Sequence, residues 1–328
     1  MRVGIVGAGA IGGWLGVRLA RRGHKVSVFA RGQTLDVLRK HGWRLDIGGE
    51  TVSAPVAASA DAAELGVQDV VLISVKGPAL AAVAPQIAPL IGPSALVVPM
   101  MNGVPWWFLL GGGGDLAPTE LRSVDESGTI ARALPYDQVI GNVVHAAATV
   151  QAPGHVVHTA GNRLIFGEPG GEQSVRLDQL CAMFEDAGFV TERSDRIRYE
   201  IWYKLWGNMT MNPLSAMAGV TCDRILDDPL VAGFVLQVMA EAQAIGARIG
   251  CAIAERGEDR TAVTRQLGAF KTSMLQDAEA GRPLEIDQLL SAPREIAGKL
   301  GMETPMLDAL TGITRVFAQR HGLYPASA

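Results

Sequence analysis

The apolar positions of the first hundred residues alternate between short strand-like runs and helical periods. Arg2–Val6 and Lys25–Ala30 are short runs, followed by helical periods over Ile11–Arg22 and Thr34–His41. Trp43–Ile47 and Thr51–Ala57 flank Gly48-Gly49, the pattern of an antiparallel pair on a tight turn. Val70–Val75 and Ala95–Met100 are continuous apolar runs, as expected of parallel strands covered on both faces. Strands alternating with helices predict a doubly wound α/β sheet. From Ser123 to Gly167 the pattern turns strand-rich, with breaks at Pro135, Gly141, Pro153-Gly154 and Gly161-Asn162. It predicts an antiparallel extension of the same sheet. Arg176–Ala187 reads as a helix closed by Gly188.

After Asp195 the strand signals fade. Helical periods cover Glu200–Leu214, Pro229–Ile249, Thr261–Ala280, Ile286–Leu300 and Pro305–Gln319. The expected organisation is an α/β domain over 1–194 and an all-α domain over 195–328. The 328 residues suffice for two cores.

Composition narrows the function. With 48% hydrophobic and 19% charged residues the chain is too apolar for disorder, and a net charge of −4 does not suit neutralising nucleic-acid phosphate. Cys181, Cys222 and Cys251 give neither a disulfide framework nor a CxxC pair, so a cytoplasmic location is expected. His155 and His158 lie in a strand-like segment and read as sheet positions; no metal site is expected. No charged residue occurs between Gly77 and Gly114, but repeated prolines argue for a buried helix, strand and loop rather than a membrane span. Gly111–Gly114 reads as a flexible loop.

Gly7-Ala8-Gly9-Ala10-Ile11-Gly12 is a GxGxxG motif between a strand and a helix, the context of a Rossmann-type dinucleotide site. The second strand ends Phe29-Ala30-Arg31, with no acid for a ribose 2′-hydroxyl. Arg31 suits a 2′-phosphate, which favours NADPH; an exposed Arg after a strand is the alternative. Lys76 and Asn102 follow the fourth and fifth strand runs at the edge where such sheets bind ligands. A solvated lysine and a plain Asn-Gly turn remain the simpler readings of those two.

In the second domain Lys204, Asn208 and Asn212 fall at i, i+4 and i+8 on one helix face, with Trp202 and Trp206 roughly 160° away. One amine and two amides on an apolar helix form either a solvated stripe or a face turned to an active site. Beside a hydride donor, an ammonium can stabilise the oxyanion that forms from a ketone and give it a proton. Ser273 could bind a substrate carboxylate and Glu285 could orient the amine; both could equally be surface residues.

Together these residues resemble the ketopantoate reductase (2-dehydropantoate 2-reductase) family over nearly the whole chain. The resemblance rests on the glycine motif, Ala30-Arg31-Gly32, Val75-Lys76, Asn102-Gly103, Lys204 with Asn208 and Asn212-Pro213, Ser273-Met274-Leu275-Gln276-Asp277 and Glu285-Ile286-Asp287. It implies NADPH-dependent reduction of ketopantoate or a closely related 2-oxo acid to the 2-hydroxy acid. It also implies catalysis by Lys204 and Glu285, and substrate contacts from Asn102, Asn208, Asn212 and Ser273. Gly7, Ala8, Gly9, Ala10, Ile11, Gly12, Arg31, Lys76 and Asn102 would serve the cofactor. The partner is a small 2-oxo acid, not nucleic acid or membrane, with a homodimer open. Competing readings are a β-hydroxyacid dehydrogenase and a non-catalytic NADPH sensor. Met101 and Gly77-Pro78 depart from the family pattern. So does Leu290-Ser291, where the family carries Asn-Gly. Leu290 either faces substrate, favouring tails without a hydroxyl, or packs between helices.

Overall fold

The computed structural model describes residues 1–266 and 268–325. Leu267, inside the helix expected over Thr261–Ala280, and the last three residues of the second expected domain lie outside the described residues. The chain forms two compact units: Met1–Met101 with Gly128–Glu200, and Asn102–Ser127 with Ile201–Ala328. This differs from a single cut after residue 194, because the segment 102–127 belongs with helices that follow it only after the intervening Gly128–Glu200.

The first unit runs β1 (Arg2–Val6), α1 (Ala10–Arg21), β2 (Lys25–Phe29), α2 (Gly32–His41), β3 (Trp43–Ile47), β4 (Glu50–Ala54), β5 (Ala57–Ser59), α3 (Ala62–Leu65), β6 (Gln68–Ile73), α4 (Gly77–Ile87) and β7 (Ile91–Pro99). It continues through α5 (Thr129–Ala133), β8 (Gly141–Ala152), β9 (His155–Gly167), α6 (Val175–Asp186) and β10 (Val190–Arg193). Strands in the order β5-β2-β1-β6-β7 form a parallel sheet. Its central strands are buried on both faces, which is why they read as unbroken apolar runs.

The strand-rich stretch does not extend that sheet. It builds a second one, β10-β9-β3-β4, with β8 antiparallel to β9. β3 and β4 are the expected hairpin on Gly48-Gly49, both at positive φ. β3 then pairs in parallel with β9, Leu45 opposite Val156, more than a hundred residues away. Helix α1 packs against strands of both sheets. Its glycines permit this: a Cβ on Gly13 would lie 2.5 Å from Val156, and one on Gly16 would lie 2.3 Å from the Trp43 ring. Trp14, Trp43 and Phe166 are sealed in the shared core.

The second unit carries α7 (Ile197–Ala218, its first turn in the first unit), α8 (Cys222–Asp227), α9 (Pro229–Arg248), α10 (Gly257–Gln266), α11 (Ser273–Glu279), α12 (Ala292–Lys299) and α13 (Pro305–Arg320). The helix expected over Thr261–Ala280 is two helices. Thr272 starts the second by accepting the Leu275 N–H on its hydroxyl. The helix expected from Ile286 opens instead with a π-turn over Asp287–Ser291, before Pro293. Gly111–Gly114 is not a free loop: Asp115 N–H bonds the Arg248 carbonyl at the end of α9, and a Cβ on Gly114 would fall 2.1 Å from it. Among the described residues α9 alone is long and apolar enough to cross a membrane; it supplies Val235, Val238, Met239, Ala242 and Ile245 to the core.

The α1 contact gives a test. Gly16→Ala should cost about 1–3 kcal/mol through overpacking against Trp43, lowering Tm by several degrees in thermal denaturation. Gly298→Ala, on an exposed helix position with open space at its Cβ, should leave Tm unchanged or raise it.

Candidate active site

The glycine loop is built by three constraints. Gly7 N–H bonds the Phe29 carbonyl, tying the loop to β2. Ser74 Oγ donates to the Gly7 carbonyl at 2.8 Å and to that of Val6 at 3.1 Å. A Cβ on Gly12 would sit 2.2 Å from the Gly7 oxygen, so only glycine lets α1 start this close to β1. Ser74 escaped the sequence reading; its signal is a hydroxyl near the carboxyl end of an otherwise apolar run.

Gly9 is different. It is the N-cap of α1 with φ −83°, which any residue can adopt, and a Cβ there would meet nothing within 4 Å. The chain itself does not demand glycine at this point. A ligand approaching the backbone closely would, and the α1 N-terminus, with Ala10, Ile11 and Gly12 in its first turn and no acid or side-chain cap, suits a phosphate. Ala8 lines a groove of about 180 Å³ with Gly7, Phe29, Ala30, Arg31 and Thr34. Arg31 stands exposed at the N-cap of α2, which also lacks an acid in its first turn. Lys76 is partly buried at the N-cap of α4, three residues after the end of β6. These residues fit a nicotinamide dinucleotide at the glycine loop.

The second unit assembles the other group. Trp202 and Trp206 are sealed, and their indole N–H groups donate to the Ala242 and Met239 carbonyls of α9 at 3.1 and 2.9 Å. Those bonds lock one face of α7 and so turn Lys204, Asn208 and Asn212 the other way. Lys204 Nζ donates to Asn102 Oδ1 at 2.9 Å. Burial lowers the Lys204 pKa to about 8, against the opposing pull of the Glu285 carboxylate. Asn208 is partly buried one turn on, and Asn212 is buried two turns on, just before the helix-interior Pro213.

Asn102 is aimed by its own backbone. Gly103 has φ +77°, and a Cβ on it would fall 2.6 Å from the Gln288 carbonyl oxygen, so only glycine leaves that oxygen room. Val104 N–H donates to that carbonyl at 2.9 Å. The carbonyl is available because in the π-turn the Ala292 N–H reaches back to Asp287 rather than to Gln288. One wide turn thus fixes Asn102 and carries buried Glu285 immediately before it.

Ser273 is exposed in the first turn of α11. Thr272 beside it is hydrogen-bonded to Ser215 of α7, 2.5 Å between hydroxyls. The structure therefore brings Lys204, Asn102 and Glu285 together and anchors Ser273, through its neighbour Thr272, to the end of the same helix. Leu290 is fully enclosed and packs in the core rather than forming a pocket wall. His155 lies 2.9 Å from Asp46, and His158 stacks on Trp14; both are sheet positions.

The GxGxxG loop of the first unit and the partly buried, hydrogen-bonded lysine of the second are each features expected of dinucleotide-dependent oxidoreductases. Residues 3–171 match the family model of ketopantoate reductase PanE/ApbA, and residues 196–318 match its C-terminal counterpart. The chain belongs to the ketopantoate reductase family. It is 43% identical to a 2-dehydropantoate 2-reductase of Mesorhizobium japonicum, over 99% of this chain and 100% of that one. A structure from Ralstonia solanacearum MolK2, provisionally named a ketopantoate reductase, is 56% identical with a TM-score of 0.95, covering 98% of this chain and 99% of that one. The 2-dehydropantoate 2-reductase of Methylococcus capsulatus is 28% identical with a TM-score of 0.83, at 98% coverage of both chains.

The Gly9 geometry predicts a separation of stability from binding. Gly9→Ala should change Tm by no more than the small loss of a glycine cap. It should weaken a nicotinamide dinucleotide at least tenfold, about 1.4 kcal/mol, in a fluorescence titration.

Proposed function

We propose that the enzyme reduces ketopantoate, or a closely related 2-oxo acid, to the 2-hydroxy acid with NADPH. The observation that carries this reading is the Lys204 amine, partly buried, bonded to Asn102 and brought to a pKa of about 8. Gly7, Gly9 and Gly12 would hold the reduced dinucleotide, which would supply a hydride for the keto carbon. The chain's own residues supply the rest.

Charge grows on the keto oxygen as the hydride arrives. Lys204 in its ammonium form hydrogen-bonds that oxygen, stabilises the charge and gives up one proton, which solvent later replaces. Asn102 accepts one N–H and so directs the others. A pKa near 8 keeps the amine mostly protonated at neutral pH while making it a better acid than an exposed lysine. The Glu285 carboxylate acts in the opposite sense, holding the proton on until the oxyanion forms. Ser273 binds the substrate carboxylate with its exposed hydroxyl, and the amides of Asn208 and Asn212 contact the rest of the substrate. A sensor would need only the dinucleotide half, and this second constellation argues against one.

NADPH oxidation against a panel of 2-oxo acids, ketopantoate included, tests the reading directly. No turnover of any member would restore the sensor alternative. Lys204→Ala should lower kcat by roughly 10²–10⁴ with NADPH affinity unchanged. Because the donor must be protonated, parent kcat should fall as pH rises through about 8, and this limb should vanish in the variant. Turnover within a few-fold of the parent would remove Lys204 from the mechanism.

Arg31 provides the cofactor test. A charged hydrogen bond is worth about 1.5–3 kcal/mol, so Arg31→Ala should weaken NADPH by roughly ten- to hundredfold and leave NADH nearly unchanged. Equal losses for both would show that Arg31 does not read the phosphate.

A further inference from the structure

The π-turn that carries Gln288, and that begins two residues after Glu285, has a second side. Asp287 lies there, partly buried, and its Oδ1 accepts two hydrogen bonds. Ser291 Oγ donates at 2.9 Å, and the Tyr324 hydroxyl donates at 2.7 Å. Arg315 of α13 donates to the Ser291 hydroxyl at 2.9 Å. The turn is therefore gripped from both sides. The Asn102 turn holds it through the Gln288 carbonyl, and the segment after α13 holds it through Asp287.

That segment is itself ordered against the site. Leu323 N–H bonds the Ala318 carbonyl, and the Leu323 carbonyl accepts the N–H of Leu284, the residue before Glu285. Gln319 Nε2 donates to the Pro325 carbonyl. One short stretch of chain thus holds the backbone on the N-terminal side of Glu285 and the side chain two residues beyond it. Neither Tyr324 nor Asp287 entered the sequence reading as a functional residue.

We infer that Tyr324 is a positioning residue: through Asp287 it holds the Glu285 carboxylate where it acts on the Lys204 amine. The catalytic meaning of this inference rests on the reading above, but its geometry does not. A fixed carboxylate matters because Coulomb energy between a buried amine and a buried acid changes steeply with separation. Tyr324 is suited to a permanent role. Burial, then its bond to Asp287, pushes its pKa up to about 12, so it remains a donor across the working range. The charged groups facing it are Asp287 and Arg315, and the charged group acting on Lys204 is Glu285. The negative charge of Glu285 raises the Lys204 pKa, so loosening Glu285 lets that pKa fall further below its present value near 8.

The chain has six lysines, Lys25, Lys40, Lys76, Lys204, Lys271 and Lys299, few enough to resolve by side-chain NMR of the ¹⁵N-lysine-labelled full-length protein. The Lys204 signal is assigned by its loss in Lys204→Arg. Tyr324→Phe should move the Lys204 midpoint down by roughly half a unit or more, the direction in which Glu285→Gln moves it further. In NADPH oxidation the same variant should lower kcat several-fold and shift its basic limb to lower pH, with KM for NADPH unchanged. Tm should fall only by the few degrees that one lost hydrogen bond costs. Asp287→Asn keeps the Oδ1 acceptor and should retain the parent midpoint, whereas Asp287→Ala should behave like Tyr324→Phe. This second pair carries the test should Tyr324→Phe not fold. A Lys204 midpoint that stays put in Tyr324→Phe and in Asp287→Ala overturns the inference, whatever happens to kcat. A shifted midpoint in a protein that reduces no 2-oxo acid leaves the inference standing and removes the functional reading instead.

Discussion

An amine taken out of water is the constraint around which the helical unit is organised. A lysine in an apolar setting loses hydration that only well-placed partners can offset. Lys204 has Asn102 at hydrogen-bond distance and the field of Glu285. Each partner needs its own support. Asn102 depends on Gly103, whose missing side chain admits the Gln288 carbonyl; that carbonyl depends on a π-turn. Trp202 and Trp206, clamped to carbonyls of α9, decide which way the lysine face of α7 points. Removing any one of these supports leaves the amine less enclosed or less well partnered, and its chemistry follows its environment.

The first unit has a separate feature, a stretch of backbone left open at the start of a helix, where the proposed dinucleotide would place a phosphate. It is formed by a tight turn braced by Ser74 and a helix start at which the chain has no use for a side chain. The same helix is squeezed between two sheets, and that double packing holds its N-terminus still. Rigidity bought by glycines on one face of α1 thus serves the opening at its end.

Much of this was legible in the sequence, and the limits have physical reasons. The parallel sheet was readable because strands covered on both faces must be continuously apolar, and α7 because a lysine and two amides at four-residue spacing stand out on an apolar helix. The second sheet was not, since β3 finds its partner β9 over a hundred residues away and pairing leaves no local mark. The membership of segment 102–127 in the helical unit was hidden for the same reason. The split of Thr261–Ala280 turned on one cap, Thr272, inside a run that is periodic throughout. The π-turn was invisible because a hydrophobic period does not register one inserted residue, yet it is this insertion that frees the Gln288 carbonyl. Leu290 was open in the sequence between a substrate contact and packing between helices, since a departure from a family pattern does not say which way a side chain points; the side chain lies in the core.

The central claim is that Lys204 gives a proton and does not serve as a fixed charge alone. Chemical rescue of Lys204→Ala separates the two, with kcat for 2-oxo acid reduction followed as small ammonium ions are added. Methylammonium and ethylammonium should restore turnover by roughly tenfold or more, the scale of general-acid catalysis, in proportion to their protonated fraction. Tetramethylammonium, with the same charge and no transferable proton, should restore nothing. Equal rescue by tetramethylammonium, or a variant needing no rescue, would contradict the account.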